Sequence, residues 1–481
     1  MAGRAKRLGV SAAIVAALLI AGCEKVEPEP GPSEPPRARA EEPWSAASAS
    51  RCDLWKRPRP VEGLRCGRLE RPFEMDEPSL GTFGLFYGVL PRERTNRPSA
   101  GTIFIAEGGP GYAGVPYART YQRMLGSLLR DHDLVLVDMR GTGRSEAIDC
   151  PPLQHGRGDH REALASCAER LGPLASSYRT SAAADDIEAL RRELDVGRIS
   201  LYGGSYGTYL GQTYAFRHPD SLAALVIDSA YPLYGESPWY PSLLPTGLRS
   251  LELSCRRSPG CAGGARERFE RVARLLRTRE GSAGPLLDAL INSAFGPPQT
   301  YLALDAAVSD YLRGRPALLK RKIDPGDGDF GDPRLYSHGL ELAASCNDYP
   351  LRWSKRSSFE RRERELDAAV AGYPAKRTRP FTPEEVANSE LYGYADCIVW
   401  PQPSRYYEPP ASPGDTPPDM PTLVISGELD DITTPREADE AAATFEDARR
   451  LEVPNAGHVP AQYVGRFDAD AAVRRFFRRF G

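Results

Sequence analysis

Gly203-Gly204-Ser205-Tyr206-Gly207 fits the pattern G-x-S-x-G, in which a serine sits on a tight turn from a strand into a helix. Small residues flank such a serine because the turn is strained and the backbone packs closely around it. The five residues alone are a weak signal, but their surroundings strengthen it. Ile199-Ser200-Leu201-Tyr202 reads as a strand running into the motif, and Thr208 to Phe216 (TYLGQTYAF) as a helix leaving it. A serine so placed is a nucleophile for acyl transfer. It needs a general base and an acid to orient that base, which in this arrangement follow it in the order acid, then histidine. Three histidines follow Ser205: His218 at the end of the helix, His338 in a later helical region, and His458 in the loop Asn455–Val459. His458, just past the last expected strand, is the expected base. The strand Leu423–Ser426 opens into Gly427-Glu428-Leu429-Asp430-Asp431, so Asp430 is the expected acid. Asp431 beside it, and Asp228 at the end of the strand Leu225–Asp228, are the alternatives. The developing oxyanion needs two backbone N–H donors. Tyr206 should supply one and Gly109, in Glu107-Gly108-Gly109-Pro110-Gly111, the other, since Pro110 has no N–H.

The elements that would hold these residues alternate along the chain. Thr102–Ala106 and Leu134–Asp138 are short apolar runs bounded by Gly-rich turns and read as buried strands, and Leu451–Val453 as a last one. Ser181–Leu194 reads as a helix with Ser181 as its N-cap and Ile187, Leu190 and Leu194 on one face. Strands alternating with helices predict an α/β fold: a mostly parallel sheet flanked by helices, here an α/β-hydrolase fold. Residues 51–235 and 416–481 would form its core. Between them, 236–415 break the rhythm with helical stretches (265–278, 302–312, 359–371) and Pro/Gly-rich loops, which predicts an inserted, mostly helical cap.

The chain has 481 residues, a net charge of −3 and 41% hydrophobic residues, enough for one large core with an insertion. Without a basic run beyond the first residues it carries no sign of nucleic-acid binding. Six histidines with no HExxH or CxxC pattern predict no metal and no cofactor. Arg4, Lys6 and Arg7 precede an apolar stretch, Val10–Ile20, that falls short of the ~20 residues needed to span a bilayer and so reads as a signal peptide. Its end, Ile20-Ala21-Gly22-Cys23, resembles a bacterial lipobox. That resemblance implies removal of residues 1–22, a lipid on Cys23, and an exported protein anchored to the bacterial membrane, in the periplasm or at the cell surface. Residues 23–50, rich in Pro, Glu, Ala and Ser, read as a disordered tether. Apart from Cys23, eight cysteines remain, an even number suited to an oxidising compartment. They allow roughly a hundred pairings. The simplest joins sequence neighbours, Cys52–Cys66, Cys150–Cys167 and Cys255–Cys261, and leaves Cys346–Cys397.

Taken together, GGPG at 108–111, Asp138-Met139-Arg140-Gly141-Thr142-Gly143-Arg144-Ser145, GGSYGT at 203–208, GELDDITTP at 427–435 and NAGH at 455–458 resemble the proline iminopeptidase and tripeptidyl aminopeptidase family. Cys346-Asn347-Asp348 and Cys397-Ile398-Val399-Trp400-Pro401 resemble its secreted tripeptidyl branch. The resemblance covers roughly 80–235 and 415–475. It implies a serine exopeptidase that removes N-terminal residues from peptides, with the cap recognising the free amine. The chain departs from the family at Glu107, where the iminopeptidases usually carry His and the secreted branch usually has Asn-Pro before the glycines. Arg140 and Arg144 read as structural, tying their loop through ion pairs. An exopeptidase must hold a cationic ammonium, and a partly buried cation needs a carboxylate. Asp348 is the first candidate and Glu107 the second. Two other functions fit the same residues: an esterase or lipase acting on small esters, and a surface lipoprotein without activity. Oligomeric state is not legible.

The lipobox reading has a direct test. Cys23→Ser should abolish incorporation of a fatty-acid analogue during growth; a labelled variant would remove Cys23 as the lipid site.

Overall fold

The computed structural model describes residues 50–52, 61–234, 242–324, 328–389, 395–412, 414–415 and 418–481. The expected signal segment, Cys23 and all of the expected tether except Ser50 lie outside those residues. Nine strands form one sheet: β1 (Ser50–Arg51), β2 (Arg65–Pro72), β3 (Thr82–Leu90), β4 (Gly101–Ala106), β5 (His132–Asp138), β6 (Ile199–Gly204), β7 (Leu222–Asp228), β8 (Thr422–Gly427) and β9 (Ala448–Val453). Their order is β1-β2-β3-β5-β4-β6-β7-β8-β9. From β5 to β9 all neighbours are parallel, while β1, β2 and β3 add on antiparallel.

Strands β5, β6 and β8 are buried along their whole length. A strand covered on both faces has no polar side to show, which is why these segments read as continuous apolar runs. On one face Phe104, Val135, Val137, Leu201, Leu225 and Ile227 pack under the helices Thr180–Glu193 and Tyr206–Arg217. On the other, Ile103, Ile105, Leu134, Leu136 and Val226 meet the helices Ala118–Leu125 and Ala469–Phe480. Between β7 and β8 the chain leaves the sheet for a mostly helical insertion. This cap has its own apolar centre, built from Leu248, Phe269, Leu286, Leu290, Tyr301 and Leu304.

Two differences from the sequence reading have physical causes. Ser181 is not the cap of its helix, which begins at Thr180 with Arg179 in the N-cap position and no capping by that side chain. The acceptor comes instead from Asp348, 168 residues away: its Oδ2 takes the Thr180 N–H at 2.6 Å and the Thr180 hydroxyl at 2.5 Å. Ser181 turns to the carbonyl of Glu408, donating at 2.8 Å. Strands β2 and β3 were not anticipated. Charged residues interrupt β2, and Gly84 and Gly88 interrupt β3, so neither shows a clear period.

Four disulfides form, Cys52–Cys66, Cys150–Cys167, Cys255–Cys261 and Cys346–Cys397. Among the described residues the one cluster with metal-ligand spacing is Cys255, Cys261 and Asp305. Its sulfurs are already joined, and Asp305 is paired with Arg268 at 2.9 Å. No helix among the described residues is long and apolar enough to cross a membrane.

Mass mapping without reduction should recover these four linkages and no free thiol among the eight cysteines. Any other pairing would contradict the fold, since each pair closes at a Cα–Cα distance of 5.2–5.6 Å.

Candidate active site

Strand β6 delivers Ser205 at its C-terminal end, and the following helix begins at Tyr206. Between them Ser205 is held at φ 55°, ψ −125°, a region that L-residues rarely occupy. Its N–H donates to the Asp228 carbonyl of the neighbouring strand at 3.0 Å. The flanking glycines are needed for close approach. A Cβ on Gly207 would run into the Ala106 carbonyl of β4, and one on Gly203 into the Gly207 carbonyl. Ser205 thus stands at a junction where β4, β6 and β7 all touch the turn.

The histidine loop follows β9. His458 is 5% exposed, and its Nδ1 lies 2.9 Å from Asp430 Oδ2. Its Nε2 is buried and meets no hydrogen-bond partner. The backbone N–H of His458 donates to the Ala294 carbonyl of the cap at 2.9 Å, and the Phe295 ring stands edge-on to the imidazole at 5.4 Å. Asp430 is fully buried on the loop after β8. Its Oδ1 accepts the N–H groups of Ile432 and Thr433, each at 3.0 Å, and its Oδ2 the Thr433 hydroxyl at 2.9 Å.

Three buried acids crowd this corner, and their surroundings set them apart. Burial alone would raise the Asp430 carboxyl. The neighbouring His458, the Thr433 N–H and the Ser229 hydroxyl outweigh it and hold Asp430 below its ordinary range. Burial pushes Asp431 well up, and the charge of Asp430 pushes it further. Asp228 is raised to about 7, mainly by burial, against the Tyr202 hydroxyl and Ala461 N–H that its Oδ2 accepts at 2.8 and 3.0 Å. Of the three, Asp430 is the one bonded to the imidazole and the one held charged.

The loop after β4 completes the site. A Cβ built on Gly108 would lie 3.8 Å from Ser205 Oγ, so this backbone passes directly beside the serine. The Gly108 N–H is taken by Glu107 Oε1 at 3.1 Å. That leaves Gly109 as the loop's other N–H before Pro110. Glu107 Oε2 accepts the Tyr121 hydroxyl at 2.5 Å. Cap residues grip the far end of the loop, where Ser337 N–H donates to the Gly111 carbonyl at 2.9 Å. Glu107, Gly108, Tyr112, Thr142, Tyr206 and Leu340 are among the residues lining a recess here.

The remaining residues singled out in the sequence fall elsewhere. His218 Nε2 meets Asp185 Oδ1 at 2.8 Å at the helix end, and His338 Nδ1 meets Glu341 at 2.6 Å in the cap. Asp348 does not line the recess. Its oxygens face Thr180 and Tyr407, and Thr180 in turn reaches the Tyr206 hydroxyl at 2.8 Å. The CND and CIVWP segments form one structural unit: beside the Cys346–Cys397 bond, the Trp400 indole donates to Asn347 at 2.9 Å. Arg140 forms a buried two-pronged pair with Asp186 at 2.7 and 2.9 Å. Arg144 donates its backbone N–H to Asp138 Oδ2 at 3.0 Å, with its guanidinium over the Phe86 ring. Ser229, Thr433 and Phe295 had no sequence signal, because nothing in a lone serine, threonine or phenylalanine reports which loop it will face.

Residues 101–246 match the α/β hydrolase fold family, and residues 382–479 the TAP-like protein family. The chain has the α/β-hydrolase fold. Parts of it are similar at low identity to tripeptidyl aminopeptidases and to proline iminopeptidases. A tripeptidyl aminopeptidase of Streptomyces lividans is 27% identical over 229 residues, which cover 43% of this chain and 41% of the relative. The serine protease Hip1 of Mycobacterium tuberculosis is 26% identical over 249 residues, 47% of this chain and 46% of the relative. The matches thus span less than half the length of these curated relatives. A solved proline iminopeptidase of Mycobacterium smegmatis aligns with 86% of this chain and 98% of its own, at 17% identity and a TM-score of 0.40.

The acids can be ranked in the test tube. Asp430→Ala should lower kcat by roughly 10⁴-fold, as expected when an imidazole loses the carboxylate that fixes its tautomer. Asp228→Asn, which keeps an acceptor for Tyr202 and Ala461, should cost less than about tenfold. Steady-state kinetics with the two ranks reversed would move the orienting acid to Asp228.

Proposed function

We propose that this protein is an exported serine exopeptidase that removes N-terminal residues from peptides through an acyl-enzyme. The observation that carries the hydrolytic part is the His458 ring. Its Nδ1 is committed to a charged Asp430, while its buried Nε2 has no partner. An imidazole fixed on one side and unsatisfied on the other is a base awaiting a proton. Ser205 supplies that proton as its Oγ attacks the scissile carbonyl carbon. The negative charge gathered on the carbonyl oxygen meets the N–H groups of Tyr206 and Gly109. The protonated Nε2 then gives its proton to the leaving amine, the C–N bond breaks and an ester to Ser205 remains. Water, deprotonated by the same Nε2, attacks that ester; the proton returns to Ser205 and the acid product departs.

The peptidase half of the reading is supported by the tripeptidyl aminopeptidase and serine protease among the relatives, and by the cap that contacts the site's loops. The cap grips both the loop after β4 and the histidine loop, as expected of a site that admits only a chain end. Four disulfides support an oxidising compartment and hence export. The lipid anchor on Cys23 belongs to the same proposal.

Ser205→Ala should lose labelling by a fluorophosphonate probe while keeping the wild-type melting temperature. The wild type should cleave free-amine peptides at least 30-fold faster in kcat/KM than their N-acetylated forms, the effect of leaving one member of a desolvated charge pair without its partner. Equal cleavage of both would replace the exopeptidase by an endopeptidase. Turnover of short esters alone would make the protein an esterase, and no turnover with no labelling would leave a surface lipoprotein.

A further inference from the structure

An exopeptidase counts residues by the distance between its nucleophile and the group that holds the substrate's ammonium. The two candidate carboxylates differ in where the fold spends them. Asp348 is buried behind Tyr206, with one oxygen capping the Thr180–Glu193 helix and the other on Tyr407. Its role there is to hold the cap against the core. Glu107 is less completely shielded from solvent than Asp348 and is among the residues lining the recess, with Gly108 and Tyr206, the neighbours of Ser205 on either side of the oxyanion turn. Its two bonds, to the Gly108 N–H and the Tyr121 hydroxyl, are both to neutral donors. The recess also contains two cations, Arg140 and Arg179, but these are matched by Asp186 and Glu74 at 2.7 and 2.5 Å. Among the described residues no ion pair involves Glu107, which is the one acidic residue lining the recess.

Resting on the exopeptidase reading, we infer that Glu107 is the carboxylate that receives the substrate's α-ammonium, and that its closeness to Ser205 limits release to one residue, or two at most. Glu107 Oε1 is 3.1 Å from the Gly108 nitrogen, and a Cβ on Gly108 would lie 3.8 Å from Ser205 Oγ. With ordinary bond lengths between them, the carboxylate oxygen lies within about 10 Å of the nucleophile. A reacting carbonyl carbon sits ~3 Å from the serine oxygen, and its own residue's nitrogen a further ~2.5 Å on. A hydrogen bond of ~2.9 Å closes the span for a single residue. Every further extended residue adds ~3.5 Å, so a carboxylate holding the ammonium of an extended tripeptide would have to lie about 15 Å from the serine, farther than Glu107 does. Burial pushes the Glu107 carboxyl up to about 7 against the Gly108 and Tyr121 bonds, and a bound cation would restore its charge.

The location also fits the chemistry. The carboxylate is borne by the residue that precedes the oxyanion glycines, so its charge would oppose the developing oxyanion if left bare. An ammonium placed against it cancels that charge. A substrate without the amine then suffers twice, in binding and in the transition state.

The test uses fluorogenic amides of one, two and three residues, each with a free, acetylated or hydroxyl-replaced N-terminus. On the wild type, single-residue amides with a free amine should be cleaved directly, and mass spectrometry should find no tripeptide released as a unit. Release of intact tripeptides as the main product would overturn the inference while leaving the exopeptidase reading in place. Glu107→Gln should cost roughly 30- to 5,000-fold in kcat/KM on free-amine substrates, and the preference for free over acetylated amides should shrink to less than about tenfold. Retained preference in a variant that fluorophosphonate still labels would assign the ammonium elsewhere. If wild type showed no preference, the exopeptidase reading itself would fail. Should Glu107→Gln not fold, the hydroxyl-replaced and chain-length series on the wild type decides alone.

Discussion

Ser205 is held at φ 55°, ψ −125° by main-chain contacts from the strands on either side of it. Such a backbone costs on the order of 1–3 kcal/mol and persists only where its surroundings over-determine it. Here the constraint is close packing of main chain on main chain. Gly207 lies against the Ala106 carbonyl, Gly203 against Gly207, and the Ser205 N–H is anchored to the carbonyl of Asp228. Three adjacent strands, β4, β6 and β7, therefore meet at one residue. The same contacts bring the glycine loop after β4 alongside the serine. Ser205 and the glycine loop are positioned by a single packing event rather than by two.

Asp430 and His458 show the same economy in their electrostatics. Burying three carboxyls within one corner would be unfavourable if all were charged. The structure keeps Asp430 ionised by giving it the imidazole, two N–H groups and the hydroxyls of Thr433 and Ser229, while Asp431 and Asp228 are raised by burial. Ser229, itself at φ 61°, also accepts the Val459 N–H at 2.7 Å, so one hydroxyl ties the acid to the histidine loop.

How much of this could be read from the sequence depended on the range of the forces involved. The buried strands, the elbow at Ser205 and the helix behind it are written in local composition, because burial on both faces demands continuous apolar runs and a strained turn demands glycine. The loops carrying His458 and Asp430 could be located as well, since each follows such a strand. What could not be read were contacts between distant segments. Ser181 had the right residue type for an N-cap, yet the acceptor came from Asp348 through tertiary packing. Asp348 looked available for a substrate for the same reason: a sequence does not show that a carboxylate is already engaged. Strands β2 and β3 lack a period because glycines and charges there answer to neighbours such as Tyr87, which lies against Gly67.

The Ala294 carbonyl reaches out of the cap to hold the main chain of His458, and Tyr301 does the same for the acid loop by donating to the Leu429 carbonyl at 2.8 Å. On the proposed function the core would supply catalysis and the insertion selectivity, as two separable modules. This molecule does not divide that way. An exchanged or shortened insertion would arrive without the carbonyl that holds the main chain of His458 in place. The insertion is thus a brace for both the histidine loop and the acid loop, and a change in its fold would be felt at His458 and Asp430 together.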